Sequence, residues 1–254
     1  MKAFNFDEPT ERRGTGSYKW DSADADVIPL WVADMDFRTA PCIIDALSDR
    51  VRHGVFGYEK VPDAWYEALQ GWFARRHGWQ IRREEVLCTT GVVPAVSAVI
   101  KAFTRPGDGV ALMTPAYNCF FSSIRNNGCF AAETALLMGN AGWTIDFAAL
   151  EKTLADPRVK VFLFCSPHNP VGRVWTADEI RRTAQIAHQA GVLFVCDEIH
   201  GEFVFGGSRY LPAAQVEGVD PLRTVILTSP TKTFNLAGAG IAAVSYTHLR
   251  AHET

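Results

Sequence analysis

The stretch SPTKTFNLAGAG (229–240) sets one lysine, Lys232, among small and apolar residues, with no acidic neighbour inside the segment. A surface lysine needs no such setting, and a core position would avoid the amine, because burying an unpaired charge is costly. The remaining use is chemical. A lysine whose pKa is lowered acts as a nucleophile or forms an imine with a carbonyl.

Other distinctive residues follow apolar runs in the same way. Gly91-Val92-Val93 opens a helical pattern directly after a strand-like run, where free N–H groups and the helix dipole suit a phosphate. Pro94, in the first turn, sacrifices no needed donor. A tight strand-to-helix turn would look the same. Ser229 could add a hydroxyl to the same anion. Asp197 ends the apolar run VLFVCDE, where a carboxylate needs a cationic or hydrogen-bonded partner. It reads either as a structural carboxylate or as the counter-ion of a protonated heteroaromatic nitrogen. Tyr117 either packs or lays its ring against a flat ligand. Asn169, between the prolines of SPHNPVG, serves turn chemistry or offers a donor and an acceptor. Phosphate donors, an aromatic plate, a carboxylate, an amide and an isolated lysine together describe a pyridoxal 5'-phosphate site. Lys232 would then carry the cofactor as an imine.

The elements that position these groups alternate. PCIIDALSDRVRHG and PDAWYEALQGWFARRHG each start with proline and end at glycine, as helices do. EVLCTTG precedes the helical VVPAVSAVIKAF, and GVALMTP precedes AYNCFFSSIRNNG. RVKVFLFCSP leads to TADEIRRTAQIAHQAG, a helix with a capping box at Thr176 and Glu179. VLFVCDE and RTVILTSP complete the series. Such alternation predicts an α/β fold, a mainly parallel open sheet with helices on both faces. Gly91, Tyr117, Asn169, Asp197 and Lys232 each fall just past a strand's C-terminal end, the edge where open α/β sheets bind ligands.

Composition narrows the function classes. The chain of 254 residues is 48% hydrophobic and 21% charged, ordinary for a globular protein. A net charge of −3 without a basic block does not suggest nucleic acid, and no apolar run is long enough to span a bilayer. The N-terminus MKAFNFDEPTERRG lacks a signal-peptide core, which points to the cytoplasm. Cysteines 42, 88, 119, 129, 165 and 196 form no C-x-x-C pair. Cys88, Cys165 and Cys196 accompany apolar runs and read as small hydrophobes, with no metal expected. Asp21, Asp24 and Asp26 lack the glycine and glutamate of a calcium loop and read as solvated. The region to about Leu30 is polar and irregular, an arm that packs over another surface.

The motifs LWVADMDF (30–37), GYEKVPD (57–63), TTGVVPA (89–95), TPAYNCF (114–120), SPHNPVGRVW (166–175), DEIHGEFVF (197–205) and SPTKTFNLAGAG occur in order. The chain thereby resembles the fold-type I aminotransferase superfamily, and within it the MalY/PatB branch of cystathionine β-lyases and cysteine-S-conjugate β-lyases. The resemblance implies that Lys232 holds the cofactor, Asp197 pairs with the pyridine nitrogen, Asn169 contacts the ring hydroxyl with His200 close by, and Tyr117 stacks on the ring. It gives the phosphate to Gly91, Val92, Val93 and Ser229, and to Tyr58 reaching the partner subunit of a homodimer. Ala33, Asp34 and Asn169 fall on the substrate side, the substrate being a small amino-acid thioether. His200 and Gly240 stand where aminotransferases usually have tyrosine and arginine, which favours a C–S lyase over a class I/II aminotransferase. A non-catalytic regulatory binding protein of the same fold is a further alternative. A Ser-x-x-Lys hydrolase, with Ser229 as nucleophile, is rejected because the motif follows a strand, contains Pro230 and lacks its companion elements.

The expected organisation is an N-terminal arm (1–30), a pyridoxal-phosphate-binding large domain (31–244) and a non-family tail (245–254). SYTHLRAHET reads as the end of a truncated gene. The resemblance implies a small C-terminal domain carrying an arginine for the substrate carboxylate, expected to be missing here, so an inactive fragment is a further alternative.

Overall fold

The computed structural model describes residues 4–140 and 142–246. The chain divides into two compact units: Met1–Lys60 with Pro230–Gly240, and Val61–Ser229 with Ile241–Thr254.

In the second unit, strands β1 (Val86–Thr89), β2 (Gly109–Thr114), β3 (Phe130–Ala135), β6 (Val159–Cys165), β7 (Leu193–Asp197), β8 (Thr224–Thr228) and β9 (Ala242–Ser245) form one sheet. Its order is β1-β9-β8-β7-β6-β2-β3, and a separate hairpin joins β4 (Leu137–Gly139) to β5 (Gly142–Thr144). Pairings from β3 through β8 are parallel, whereas β9 runs antiparallel to both β1 and β8. The expected mainly parallel sheet is therefore present. β9 was not anticipated: it is a short run of small residues just after a glycine-rich stretch.

Burial on both faces explains the continuous apolar runs. Phe162, Phe164, Phe194, Cys196 and Ile226 point into one core, which includes Leu150 and Leu154 of α6 (Phe147–Leu154) and Ile180, Ala184 and Ala187 of α7 (Ala177–Gln189). The alternate residues Val161, Leu163, Cys165, Val195, Val225 and Leu227 meet α4 (Val92–Phe103) and α5 (Asn118–Asn126) on the other face. This is the period of two that a pleated strand imposes. α3 (Asp63–His77) packs through Phe73 against Val86 and Ala243.

The Thr176–Glu179 capping box forms: the Glu179 N–H donates to Thr176 Oγ1 at 3.2 Å, and the Thr176 N–H to Glu179 Oε2 at 2.8 Å. Cys165 and Cys196 are buried, but Cys88 is exposed, because β1 lies at the sheet edge and shields only part of its surface.

The first unit contains α1 (Tyr18–Asp21), α2 (Pro41–His53) and the single turn α8 (Pro230–Thr233). Side chains organise its irregular backbone. The Arg13 guanidinium donates to the carbonyls of Trp20, Ala23, Asp24, Ala25 and Val27 at 3.0–3.3 Å. Asp21 accepts the N–H groups of Gly14 and Gly16 at 2.7 and 2.8 Å. Among the described residues no helix is long and apolar enough to cross a membrane. Ser245 ends β9 and the Tyr246 N–H donates to the Glu85 carbonyl at 2.9 Å; of the expected tail, 247–254 lie outside the described residues.

Candidate functional site

Gly91, Val92, Val93, Tyr117, Asn169, Asp197, His200 and Ser229 belong to the larger unit, whereas Lys232, Ala33, Asp34 and Tyr58 belong to the smaller. In the larger unit the groups line one edge. β1, β8, β7, β6 and β2 all point the same way, so the residues just past them share the carboxyl edge in the order Gly91, Ser229, Asp197, Asn169, Tyr117.

At one end of the edge Gly91 caps α4 in an extended conformation, and no side chain bonds to the free N–H groups of this helix start. Gly91-Val92-Val93 thus opens a helix as anticipated, and N–H groups at such a start are of the kind that suit an anion. A Cβ at Gly91 would lie 3.3 Å from Pro94 Cδ, so the bare backbone leaves the approach open. Ser229 is buried, and its hydroxyl donates to the Ile241 carbonyl at 2.6 Å. A hydroxyl has one hydrogen to give, so Ser229 would have to turn to donate to an anion.

Asp197 ends β7 at 6% exposure, in register with Cys165 of β6 and Leu227 of β8. Its Oδ1 accepts the Ile199 N–H at 3.1 Å. Tyr117 caps α5 and meets Phe120 edge-on with centroids 5.9 Å apart. Burial, then a hydrogen bond with Cys119 and the charges of Cys119 and Asp197, push the Tyr117 pKa upward, so the phenol stays neutral.

Asn169 is half-buried in a loop closed by the His168–Arg173 bridge, with the His168 N–H donating to the Arg173 carbonyl at 2.8 Å. Trp175 fastens the loop to β6 by donating Nε1–H to the Cys165 carbonyl at 2.9 Å. His168, buried with Nε2 2.9 Å from the Pro115 carbonyl, is held neutral mainly by burial, which lowers its pKa. This ties the Asn169 loop to the segment that leads to Tyr117.

Two carboxylates here carry weight that the motifs had not assigned. Glu198 is 2% exposed, accepts the Ala213 N–H at 2.7 Å and also accepts the Tyr210 hydroxyl. Burial drives its pKa up to about 7 against the opposing hydrogen bonds. Glu202 accepts Trp72 Nε1–H at 2.8 Å and Arg76 at 2.7 Å, with His77 Nε2 at 2.6 Å. Burial raises its pKa, but the His77, Arg76 and Trp72 bonds outweigh it and the net shift is downward. The segment 198–202, which contains half-buried His200, is thus gripped at both ends. The sequence signal for Glu198 was its position beside Asp197 at a buried strand end. Tyr210 and α3 had no such signal.

In the smaller unit Lys232 lies on α8, four residues past the last residue of β8 in the chain. Ser229 follows β8 and Pro230 opens the one-turn α8, as the case against a Ser-x-x-Lys hydrolase requires. Asp34 Oδ2 accepts from Arg12 at 2.7 Å, and Asp36 accepts from Arg12, Lys19 and Trp20 at 2.7–2.9 Å. Burial would raise the Asp36 pKa, but the Trp20 and Lys19 hydrogen bonds and the Lys19 and Arg12 charges lower it. Asp36 is therefore committed to the arm, whereas Asp34 Oδ1 is buried with no hydrogen-bond partner among the described residues. Ala33 is exposed beside them, and Tyr58 lies in 51–60, where every residue is exposed.

The chain is 38% identical over 245 residues to cystathionine beta-lyase PatB of Bacillus subtilis, covering 94% of this chain and 63% of that protein. It is 39% identical over 239 residues to protein MalY of Escherichia coli, covering 92% and 60%. The crystal structure of cystalysin from Treponema denticola, which contains a pyridoxal 5'-phosphate cofactor, superposes with a TM-score of 0.91 at 36% identity, covering 96% of this chain and 64% of that one. The chain thus spans under two thirds of the length of these relatives. The description "Aminotransferase class I and II" matches residues 25–252, a span that takes in the whole sheet and every group along its carboxyl edge, and the chain belongs to that family.

Proposed function

We propose that the protein is a pyridoxal 5'-phosphate-dependent carbon–sulfur lyase that cleaves cystathionine or another cysteine thioether to thiol, pyruvate and ammonia. The observation that carries this is the carboxyl edge: an uncapped helix start, a buried strand-end carboxylate, an amide and a neutral phenol on neighbouring strands. That donor set fits the cofactor's phosphate, ring nitrogen, ring hydroxyl and flat face. The names of PatB and cystalysin's bound cofactor support the same reading.

When bound, the cofactor supplies a ring that withdraws electrons from the substrate's α-carbon. The N–H groups of Val92 and Val93 anchor the phosphate, with Gly91 leaving room for it and Ser229 nearby. Asp197 holds a proton on the ring nitrogen, which keeps the ring electron-poor. Tyr117 forms one wall, and Asn169 and His200 orient the ring hydroxyl. Lys232 would hold the cofactor through its amine, and the same amine would serve as general base for the α-proton. Ala33 and Asp34 line the substrate side with Asn169. Loss of thiolate from the β-carbon, with one water consumed, balances to thiol, pyruvate and ammonium.

We assign this chemistry to the 31–244 segment and to a homodimer, with Tyr58 reaching the partner's phosphate. The exposure of Val51, Val55, Phe56 and Tyr58 supports such a contact. Six free thiols accord with a cytoplasmic setting. The deciding experiment supplies cystathionine to the protein with cofactor and follows thiol and pyruvate, with and without a keto acid. Release without any acceptor supports the lyase; turnover that requires 2-oxoglutarate would make the protein an aminotransferase.

A further inference from the structure

Asn235 lies three residues beyond Lys232, just past α8, with a left-handed φ of 55° that asparagine tolerates better than most residues. Its Oδ1 accepts the Met35 N–H at 3.0 Å, and its Nδ2 donates to the carbonyls of Met35 and Phe37, each at 2.9 Å. Both amide hydrogens are thereby used. Beside it, Thr39 Oγ1 donates to the Phe234 carbonyl at 2.7 Å. One side chain thus serves the backbone of 35–37 much as a neighbouring strand would, across a chain separation of 200 residues.

The other side of that stretch is held just as firmly. Arg12 bonds the Met35 carbonyl at 2.9 Å as well as Asp34 and Asp36, and Lys19 bonds the Asp34 carbonyl at 3.1 Å. By contrast α8 is a single turn of four residues, closed by the Phe234 N–H to the Pro230 carbonyl and the Leu236 N–H to the Thr231 carbonyl. An isolated turn has little stability of its own, because nucleation fixes several dihedrals for one hydrogen bond. Its orientation has to come from what it is tied to.

We propose that Asn235 is a positioning residue that locks the Lys232 turn to the 33–37 segment, so that the direction of the amine and the placement of Ala33 and Asp34 are set together. This rests on the pyridoxal 5'-phosphate reading for its consequence, but the tether itself does not. Loosening the tether frees the 33–37 segment and lets the amine swing, so KM rises and kcat falls together.

The test uses Asn235→Gly, which keeps the left-handed backbone while deleting three hydrogen bonds, and Asn235→Asp, which keeps the acceptor but sets a carboxylate oxygen against two carbonyls. Three readouts are compared with wild type: tryptic cleavage at exposed Arg38, acylation of Lys232 by a soluble reagent read by mass spectrometry, and the pH midpoint of the bound-cofactor absorbance. Loss of two or more hydrogen bonds should speed cleavage by about tenfold or more. Acylation of Lys232 should change and the midpoint should move, with Asn235→Asp the stronger. Faster cleavage with unchanged acylation and midpoint would reduce Asn235 to a structural tie and overturn the proposal, as would no change at all. If wild type takes up no pyridoxal 5'-phosphate, the functional reading fails while altered acylation still supports the lock. Should Asn235→Gly not fold, Thr39→Val, which removes a single bond, gives the same readouts at smaller amplitude, and unchanged acylation there overturns the proposal.

Discussion

The carboxylate of Glu198 accepts the hydroxyl of Tyr210, twelve residues further on, with both groups buried. The Tyr210 ring also closes over Gly201, where a Cβ would stand 2.9 Å from it. Burial, then the charge and hydrogen bond of Glu198, raise the Tyr210 pKa, so the phenol keeps its proton and remains a donor. The pair, with the Ala213 N–H that Glu198 also accepts, fixes the chain that follows Asp197.

Glu198 makes stability depend on pH. Its folded pKa of about 7 lies above the ordinary 4.5, so the folded state holds the proton more tightly than the unfolded chain. The contribution is complete below pH 4.5 and is lost as pH rises through 7, a swing of about 3 kcal/mol. Glu198→Gln should abolish that swing. Urea unfolding at pH 5 and pH 8 should show the difference between wild type and variant moving in favour of the variant at the higher pH. An unchanged difference would sink the assignment.

Glu202 should behave in the opposite sense. Its net lowered pKa means that stability from this group is present above the unfolded value and lost as pH falls through the folded one. Glu202→Ala leaves the Trp72 and His77 donors without their acceptor and should cost about 1–3 kcal/mol, seen as a lower thermal midpoint. A midpoint equal to wild type would mean that the clamp contributes nothing.

Gly91→Ala separates cofactor binding from folding. The backbone is extended and any residue can adopt it, but the new methyl meets Pro94 Cδ at 3.3 Å, a contact the proline ring must relieve by a few tenths of an ångström. Stability should therefore fall by about 1 kcal/mol or less. Affinity for pyridoxal 5'-phosphate, followed by absorbance titration, should drop by about tenfold or more as the methyl crowds the helix start. Equal affinity would move the phosphate away from α4.

Lys232→Ala should leave folding unaffected, since Lys232 is only half-buried on a one-turn helix. It should abolish the borohydride-trapped covalent adduct, which peptide mass spectrometry reads directly. A trapped adduct in the variant would place the reactive amine elsewhere, with Lys2, Lys19, Lys60, Lys101, Lys152 and Lys160 as the candidates to search.

Much of the larger unit was legible because β2, β6, β7 and β8 are almost wholly buried and helices such as α7 carry their own caps. Thr176 with Glu179 is the clearest instance, since the motif and the hydrogen bonds coincide. Asp197, Tyr117 and Asn169 could be placed at strand ends because the apolar runs stop abruptly before them. β9 escaped because its pairing energy comes from neighbours far away in the chain, with Ala243 facing Cys88 and Thr228. Asn235 escaped for a similar reason: an asparagine after a short turn looks like local turn chemistry, and its bonds to Met35 and Phe37 exist only in three dimensions. Glu198 was visible as a residue, but its raised pKa comes from full burial, opposed by the bonds from Tyr210 and Ala213, whose approach no local pattern announces.

The insertion of β9 between β1 and β8 also imposes an order on assembly. Within the sheet β1 has β9 as its hydrogen-bonded neighbour, so its place, and with it the start of α4, depends on residues 242–245. During synthesis the strands β2, β3, β6, β7 and β8 can pair as they emerge from the ribosome. β1 is made before all of them, yet it must wait for nearly the last part of the sheet before it can dock. A nascent chain halted before residue 242 would carry Asp197, Asn169 and Tyr117 on a paired edge, while the Gly91 turn would have the packing of α4 on β6 and β8 but no paired strand before it. The β1 side of the anion cradle is therefore the part of the edge that gains its strand pairing last among the described strands.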